Sequence, residues 1–255
     1  MGAPMLAALC ANGFPAKGFD LRADVDVPPQ HFEPSAARFA AEITTLFTVV
    51  RDIGETEALL FDQQNLAQAP QLTRLVICST LSPRYVRDLP DRMPPHITLI
   101  DAPMSGAQIA AQNASLSFML GGSTTEINAL MPLLRAMGQY FHHMGPFGAG
   151  MQAKVLNNLL AASNTAMTRL VLDWAKTSGL DPDKLLALIA TSSGQNWLAS
   201  GFDQIEFAKD GHAPGNTIEI LIKDVKSALD AAPENHPLPR AIIDCLSALR
   251  PYSDH

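Results

Sequence analysis

Lys154 and Asn158 are the residues whose types and spacing most readily suggest chemistry, because an amine and an amide stand four positions apart in an apolar segment. On a helix this spacing places both side chains on one face, about one turn apart. A lysine among valines and leucines either extends its ammonium group to water along the helix surface or is buried as an amine that exchanges protons. The helix pattern alone favours the surface interpretation, so the rest of the sequence must decide between the two.

The composition predicts a folded protein with a full core, since the chain has 255 residues, of which 47% are hydrophobic and 17% charged. This length fits one large domain or two modest ones. The net charge of −7, without a cluster of lysines and arginines, argues against nucleic acid and anionic membranes as partners, while a small anionic substrate remains possible. Three widely separated cysteines favour a reducing, cytoplasmic location. Asparagines and an arginine interrupt the longest apolar segment, so no membrane-spanning helix is expected.

The hydrophobic pattern divides the chain into two parts. Strand-like and helix-like segments alternate up to about residue 147, which predicts an α/β domain over residues 1–147 with a mainly parallel sheet covered on both faces. From residue 151 on, only helical patterns follow, which predicts an all-helical domain over residues 148–255 built on one long helix. The predicted strands are residues 16–20, 43–50, 73–79, 96–101, 116–120 and 140–144. The predicted helices of the second part are residues 151–178, 183–190, 197–209, 218–231 and 239–249.

Asp20 ends a short predicted strand that follows the first helix, and this arrangement is similar to the second half of a dinucleotide-binding βαβ unit. There an acid accepts hydrogen bonds from the adenosine ribose hydroxyls, and Gly2 fits the third glycine of the motif G-x-G-x-x-G. The ordinary alternative is that Asp20 is only a turn residue. Asp20 favours NAD because an acid repels a 2′-phosphate, but Arg22 two positions later leaves NADP open.

The first strand and the first two glycines of such a unit are not in this sequence. We therefore expect a Rossmann-like domain that lacks its first strand, which would lie centrally in a sheet of order 3-2-1-4-5-6. Our hypothesis is that the natural protein starts about 5–10 residues upstream, roughly one strand's length. If the short form is the natural one, weak cofactor binding is expected.

A series of short motifs, in order along both domains, resembles the β-hydroxyacid dehydrogenases, the group that contains 3-hydroxyisobutyrate dehydrogenase and tartronate semialdehyde reductase and has a 6-phosphogluconate dehydrogenase type of NAD-binding domain. The motifs are M-G-A-P-M at 1–5, the strand and loop at 44–52, S-T-L-S-P at 79–83, D-A-P-M-S-G at 101–106, the glycine pair at 121–122, the stretch from 145 that ends in K-V-L-N-N at 154–158, and K-D at 223–224. One such motif would be weak, but the ordered set is specific.

The resemblance implies that a hydride passes between the hydroxyl-bearing carbon of a 3-hydroxyacid and a nicotinamide cofactor. Lys154 would be the general acid/base, with its pKa lowered by apolar surroundings, and Asn158 would orient the lysine or the substrate. The substrate carboxylate would lie against the Ser105 hydroxyl and the backbone N–H groups near Gly106.

Thr80 and Lys223 are implied to contact both substrate and cofactor, with Thr80 at the nicotinamide end of the cleft and Lys223 closing it. The implied cofactor-binding residues are Gly2, Asp20, Arg22, Val50, Thr80 and Lys223. The ordinary alternatives are a helix cap for Ser105, a turn for Gly106 and a solvated amine for Lys223.

Other readings of the sequence stay open. An imine reductase resembles this architecture but typically lacks a lysine at the position of Lys154. A non-catalytic relic of the family, without its phosphate-binding loop, would keep the pocket and oligomerise. His142 and His143 do not predict a metal site, because adjacent side chains on a strand point in opposite directions and no third ligand is evident. The long apolar helix predicts an inter-domain or a dimer interface, and we expect the protein to form a homodimer or homotetramer.

Overall fold

The computed structural model describes residues 1–22 and 24–253. These residues form two compact units, Met1–Lys154 and Val155 onward. The strands of the first unit are β1 (Thr45–Thr48), β2 (Arg74–Ile77), β3 (Thr98–Asp101), β4 (Met104–Ser105), β5 (Leu116–Gly121) and β6 (Gly138–Gly145). Its helices are α1 (Gly2–Ala11), α2 (Ala36–Glu42), α3 (Ile53–Glu57, continued by a π-helical turn over Ala58–Asp62), α4 (Pro83–Asp88), α5 (Ala107–Gln112) and α6 (Thr124–Met137).

The long helix α7 (Ala149–Thr177) begins in the first unit and continues into the second, as predicted for residues 151–178. It ends where Gly179 has a φ of +78°, the Gly179 N–H donates to the carbonyl of Lys176, and the Leu180 N–H donates to the carbonyl of Ala175, which is the Schellman pattern. The remaining helices are α8 (Pro182–Ala190), α9 (Trp197–Ser200), α10 (Thr217–Asp230) and α11 (Pro237–Ser247).

The six strands form one mixed sheet, where the sequence predicted a mainly parallel one. Strands β1, β2 and β3 are parallel and in register, and β6 is parallel to β5. Strand β5 pairs antiparallel with β3 through Asp101 and Gly121, and β4 pairs antiparallel with β5. The difference arises because β3 and β4 follow one another in the same direction along β5, and the chain reverses between β4 and β5, over the segment that contains α5.

The strand predicted over residues 16–20 does not form a ladder. Within the described residues it makes one isolated bridge, in which Gly18 pairs with Phe32 through two hydrogen bonds to its backbone, from the Glu33 N–H and to the carbonyl of His31. A strand requires continuous pairing with a neighbouring segment, and among the described residues this segment pairs only at Gly18. The sheet of the described residues begins at β1, which pairs only with β2.

Alternating side chains of the sheet enter two cores, which confirms that helices cover both faces. Val76 and Cys78 pack with residues of α1 and α6, such as Leu9 and Leu130. On the opposite face, Leu75 and Ile77 pack with residues of α2, α4 and the turns that follow α3. A third core in the second unit is built from α7, α10 and α11.

The helix predicted over residues 197–209 is much shorter. Asn196 caps α9 by accepting the Ala199 N–H at 3.0 Å, but the helix ends before Gly201 and turns follow. Phe202 and Phe207 still lie in the core. The apolar pattern therefore predicted correctly that these residues are buried, but it predicted too long a helix. Over residues 1–22 and 24–253, no helix has the length and apolar character that crossing a membrane requires.

Candidate active site

Lys154 lies near the start of α7 and is buried, with 7% of its surface exposed. A lysine that extended its ammonium group along the helix surface would expose far more. The structure therefore overturns the interpretation that the helix pattern alone favoured. The lysine is enclosed by protein, so the environment of its amine is set by protein groups rather than by bulk water.

The start of α7 is held by the buried carboxylate of Asp101 at the end of β3. The Gly148 N–H donates to Asp101 Oδ1 at 2.7 Å, and the Met151 N–H donates to Oδ2 at 2.5 Å. Asp101 is completely buried, and burial raises its pKa while the backbone N–H groups of Gly148 and Met151 act in the opposite direction. These are N–H groups that a helix leaves unsatisfied at its N-terminus, where the helix dipole also favours a negative charge.

Two glycines make room for this carboxylate. A Cβ atom on Gly121 would lie 2.0 Å from Asp101 Oδ1, and one on Gly150 would lie 2.3 Å from the carbonyl oxygen of Met119. Both distances are below any real contact, so a side chain at either position would displace the helix start or the strand. Gly121 belongs to the glycine pair that the resemblance identified, and its requirement is steric.

Ser105 and Gly106 follow Asp101 within five residues, at the end of β4 and the start of α5. Ser105 is half-buried and pairs with Ser117 of β5. It does not cap α5, which begins after Gly106 without a side-chain cap. Gly106 has a φ of +128°, and a Cβ atom there would lie 2.4 Å from the Cβ of Ala110, so glycine is needed for the turn.

The loop that carries Thr80 also reaches the first turn of α7. Thr80 is half-buried, and the N–H of the next residue, Leu81, points to the Met151 sulfur at 3.3 Å. The Val50 N–H donates to Ser79 Oγ at 2.9 Å, so this group of Val50 is already engaged. The first unit thus brings the Thr80 loop and the Asp101–Ser105 segment to the helix that carries Lys154.

In the second unit, Asn158 is fixed by Asp224. Its Nδ2 donates to Asp224 Oδ2 at 2.5 Å, and its Oδ1 accepts from Asn157 Nδ2 at 3.3 Å. Asn158 and Asp224 are 8% and 2% exposed. Lys223 Nζ lies 2.8 Å from Asp224 Oδ1, and the two atoms form an ion pair without the alignment of a hydrogen bond. Lys223 is therefore held beside a buried carboxylate and is not the freely solvated amine of the ordinary alternative.

Asp20 and Arg22 line a separate cleft of about 280 Å³ with Phe19, Leu21 and Phe32. Arg22 Nε and Nη2 donate to Asp20 Oδ1 and Oδ2 at 3.1 and 2.9 Å, and the Arg22 side chain holds the pKa of Asp20 below its usual value. Apolar walls with one ionised acceptor suit an adenosine group, whose ring needs apolar contact and whose ribose hydroxyls need an acceptor. The residues present therefore fit that part of a dinucleotide.

The structure does not require a glycine at position 2, although the resemblance implied that Gly2 is a glycine of the dinucleotide-binding motif. Gly2 begins α1, and a Cβ atom there would lie 3.7 Å from the Cβ of Val49, which is an ordinary contact. No group of three histidines, cysteines or acids that could hold a metal ion occurs among the described residues.

Asp101 and Asp224 are the site residues to which the sequence assigned no role, although both stand inside motifs that it identified. An acid at the end of a strand, or beside a lysine on a helix, has many ordinary explanations. Their burial and their partners, 47 to 66 positions away along the chain, are visible only in the fold.

Comparisons with known proteins agree with this fold and these motifs. Residues 1–145 match the family model of the NAD binding domain of 6-phosphogluconate dehydrogenase. Residues 148–241 match the model described as NAD-binding of NADP-dependent 3-hydroxyisobutyrate dehydrogenase. The first match alone covers more than half of the chain.

Individual relatives give the same result over almost the whole length. The 3-hydroxyisobutyrate dehydrogenase of Pseudomonas aeruginosa is 31% identical, with 90% of this chain and 81% of the relative covered. The NAD-dependent L-serine dehydrogenase of the same organism is 30% identical, with 91% and 82% covered. A solved structure of 3-hydroxyisobutyrate dehydrogenase from Mycobacterium tuberculosis with L-serine superposes with a TM-score of 0.76 at 25% identity, with 96% and 88% covered.

The chain therefore belongs to the β-hydroxyacid dehydrogenase family, as the ordered motifs predicted. This membership confirms the predicted fold class, a Rossmann-like domain followed by a helical domain. It also confirms the predicted class of enzyme, an NAD(P)-dependent hydroxyacid dehydrogenase.

Proposed function

We propose that this protein oxidises a 3-hydroxyacid reversibly, with Lys154 as the general acid/base. The observation that carries the proposal is the burial of Lys154 at the start of α7, since a desolvated amine exchanges protons near neutral pH more readily than a solvated one. Bound nicotinamide would supply the hydride acceptor. Lys154 would take the hydroxyl proton as the carbonyl group forms and return it in the reduction.

Ser105 and the backbone near Gly106 would hold the substrate carboxylate, which fixes the distance from the carboxylate to the reacting carbon. Asn158 would orient the lysine or the substrate hydroxyl with an amide that Asp224 holds in one orientation. We propose Thr80 and Lys223 as further residues that bind substrate and cofactor. Ordering these groups before the reaction removes much of its entropic cost.

The substrate class follows from what the named relatives share. 3-Hydroxyisobutyrate and L-serine both carry a primary hydroxyl on the carbon next but one to a carboxylate, and they differ only in a methyl or an ammonium group between the two. We propose a small 3-hydroxyacid of this kind as the substrate, held by its carboxylate group. Both compounds, supplied with NAD or NADP, are therefore the first probes.

The test is turnover of these two probes by the purified protein, followed by nicotinamide absorbance. Lys154→Ala should lower kcat about 10²- to 10⁴-fold, the range of general acid–base catalysis, with the Kd for NAD unchanged. Lys184→Ala is the control, because Lys184 is an exposed lysine on α8. Equal activity of Lys154→Ala and the wild type would refute the role of Lys154. Binding of NAD without turnover of any 3-hydroxyacid would favour the non-catalytic relic.

We propose NAD as the preferred cofactor, because the ionised Asp20 would repel a 2′-phosphate. Arg22 is the competing influence, since it is exposed and would be free to bind that phosphate if Asp20 released it. Asp20→Ser should therefore shift the ratio of kcat/KM values from NAD towards NADP, and Asp20→Ser with Arg22→Ala should lose the gain. An unchanged ratio in Asp20→Ser would show that the cleft does not select the cofactor.

The oligomer that we propose is a homodimer formed along α7. Leu160, Met167 and Trp174 follow one another at intervals of seven residues and are 67%, 55% and 65% exposed. Leu156, at 52%, extends the same stripe. A seven-residue repeat keeps these side chains on one face, as a partner helix requires. Light scattering should show that Met167→Lys converts a dimer into a monomer. Asp173→Lys, an exposed position on another face of the same helix, should leave the dimer intact.

We also propose a cytoplasmic location, which the free cysteines fit.

A further inference from the structure

The N-terminus of α7 has no cap of its own. The sequence that leads into the helix, G-P-F-G-A-G, has no Ser, Thr, Asp or Asn side chain, the residue types that ordinarily satisfy the first N–H groups of a helix. Asp101 performs this task from β3, 47 residues earlier, by accepting the N–H groups of Gly148 and Met151. The position of the helix start is therefore decided by a strand of the sheet and not by the local sequence.

We propose that Asp101 is the positioning residue for the proposed catalytic lysine. The Met151 N–H donates to Asp101. Met151 precedes Lys154 by three residues, which is less than one turn. Fixing the Gly148 and Met151 N–H groups on two oxygens of one carboxylate sets both where α7 begins and how its first turn is rotated. The direction in which Lys154 leaves the helix is thereby set by Asp101.

The same carboxylate ties the lysine to the other implied substrate groups. Asp101 precedes Ser105 by four residues, so the segment that would bind the substrate carboxylate starts from the residue that caps the lysine helix. Met151 also contacts the Leu81 N–H, next to Thr80. A displacement of Asp101 would change the spacing among three segments at once, although Asp101 itself touches neither substrate nor cofactor.

An ionised carboxylate is suited to this task because both oxygens accept hydrogen bonds. In Asp101→Asn the side chain keeps its shape, but an NH₂ group would face one of the two backbone N–H donors. Two donors cannot bond each other, so one of the two hydrogen bonds between residue 101 and the start of α7 is lost. Displacing catalytic groups by about 1 Å costs as much as 10²-fold in rate, and we expect Asp101→Asn to lower kcat about 10- to 100-fold.

The kinetic test rests on the proposed function and uses L-serine with deuterium on its hydroxyl-bearing carbon. With Lys154 misplaced, the chemical step becomes slower relative to product release, so the isotope effect on kcat should rise while the KM for NAD stays unchanged. A purely structural role would reduce the amount of active enzyme and leave the isotope effect unchanged, and that result would overturn the proposal. Ser123→Ala is the matched control, because Ser123 caps α6 by accepting the Glu126 N–H at 3.3 Å and α6 carries no implied site residue.

A second readout does not depend on activity. Hydrogen exchange followed by mass spectrometry should show that Asp101→Asn loses protection in peptides that cover residues 147–156, while Ser123→Ala loses it near residues 123–127. Loss of protection across the whole first unit in Asp101→Asn would contradict the proposal that Asp101 acts locally, on the start of α7. If the wild type does not turn over L-serine or 3-hydroxyisobutyrate, the proposed function fails, while the exchange result still decides whether Asp101 fixes the helix start.

The wild-type protein supplies a measurement should Asp101→Asn fail to fold. The amides of Gly148 and Met151 lie in a helix start, where N–H groups without a partner exchange rapidly. If Asp101 holds them, they should exchange more slowly than the Glu126 amide at the solvent-facing start of α6. Rapid exchange of both amides in the folded wild type would overturn the proposal without any variant.

Discussion

Asn158 donates its amide N–H to the buried carboxylate of Asp224 at 2.5 Å, across 66 positions of sequence. Because an ionised carboxylate only accepts hydrogen bonds, it can face the NH₂ end of Asn158 and not the oxygen. The Oδ1 atom of Asn158 must then point away from Asp224, where Asn157 already donates to it. One acid thus decides which end of the proposed catalytic amide is the acceptor.

The first prediction follows from this orientation. Asp224→Asn would allow Asn158 to turn over, because an amide partner offers both an acceptor and a donor. Activity towards a 3-hydroxyacid should fall about tenfold or more, since a hydrogen bond to a charged group contributes about 1.5–3 kcal/mol. Steady-state kinetics of the variant with L-serine and NAD measure this loss.

Asp244→Asn is the control for this prediction, because it changes an exposed acid on the neighbouring helix α11. Its kinetics should equal those of the wild type. A decrease of the same size in both variants would mean that a general loss of negative charge matters, and not the orientation of Asn158.

The second prediction concerns Arg169, which is 1% exposed and holds the end of the chain against the second unit. Its guanidinium donates to the carbonyls of Ala208, Asp210 and Arg250 at 2.9, 2.7 and 2.5 Å. Arg169→Met should lower the free energy of unfolding by about 2–4 kcal/mol, because three carbonyls, one of them buried, lose the donor that the buried guanidinium supplies. Urea denaturation measures the change. Arg240→Met, at an exposed site, should change it by less than about 0.5 kcal/mol.

Periodicity predicted the elements whose side chains alternate between environments. Leu75 and Val76 of β2 lie in the cores on opposite faces of the sheet, and the apolar β-branched residues of this segment predict such a strand. The start and end of α7 could also be predicted within two residues, since Gly179 supplies the positive φ of its C-terminus. Local signals of this kind need no knowledge of distant partners.

The hydrogen bonds from the start of α7 to Asp101 and the orientation of Asn158 could not be predicted in the same way. Each depends on a contact between residues far apart in sequence, and each acid is ambiguous when taken alone. Lys154 is intermediate: its helix pattern favoured exposure, and only the order of the surrounding motifs indicated the buried position that the structure shows. Tertiary packing, rather than propensity, decides these sites.

The third prediction is a pH dependence of stability at Glu57. Arg92 donates to both oxygens of Glu57 at 2.7 and 2.6 Å, Tyr85 donates at 2.6 Å, and these contacts hold the pKa of Glu57 below its usual value of 4.5. A lowered folded-state pKa means stability that is present above pH 4.5 and is lost as the pH falls through the lowered pKa. The difference in urea midpoint between the wild type and Glu57→Gln should therefore shrink on acidification. Asp62→Asn, at an exposed position, should give a smaller difference that does not follow this course.

The last prediction tests the space that the Asp101 carboxylate occupies. In Gly121→Ala the new methyl group would lie 2.0 Å from Asp101 Oδ1, so either the strand or the carboxylate must move. Overpacking of this kind costs about 1–3 kcal/mol of stability, and movement of Asp101 should also lower kcat. Gly194→Ala is the matched change, because its methyl group would meet Ile189 at an ordinary 3.8 Å and should leave kcat unaltered. Wild-type kcat in Gly121→Ala would mean that the carboxylate can shift without disturbing Lys154, whereas a loss of kcat larger than the loss of folded protein would tie the glycine to the lysine through Asp101.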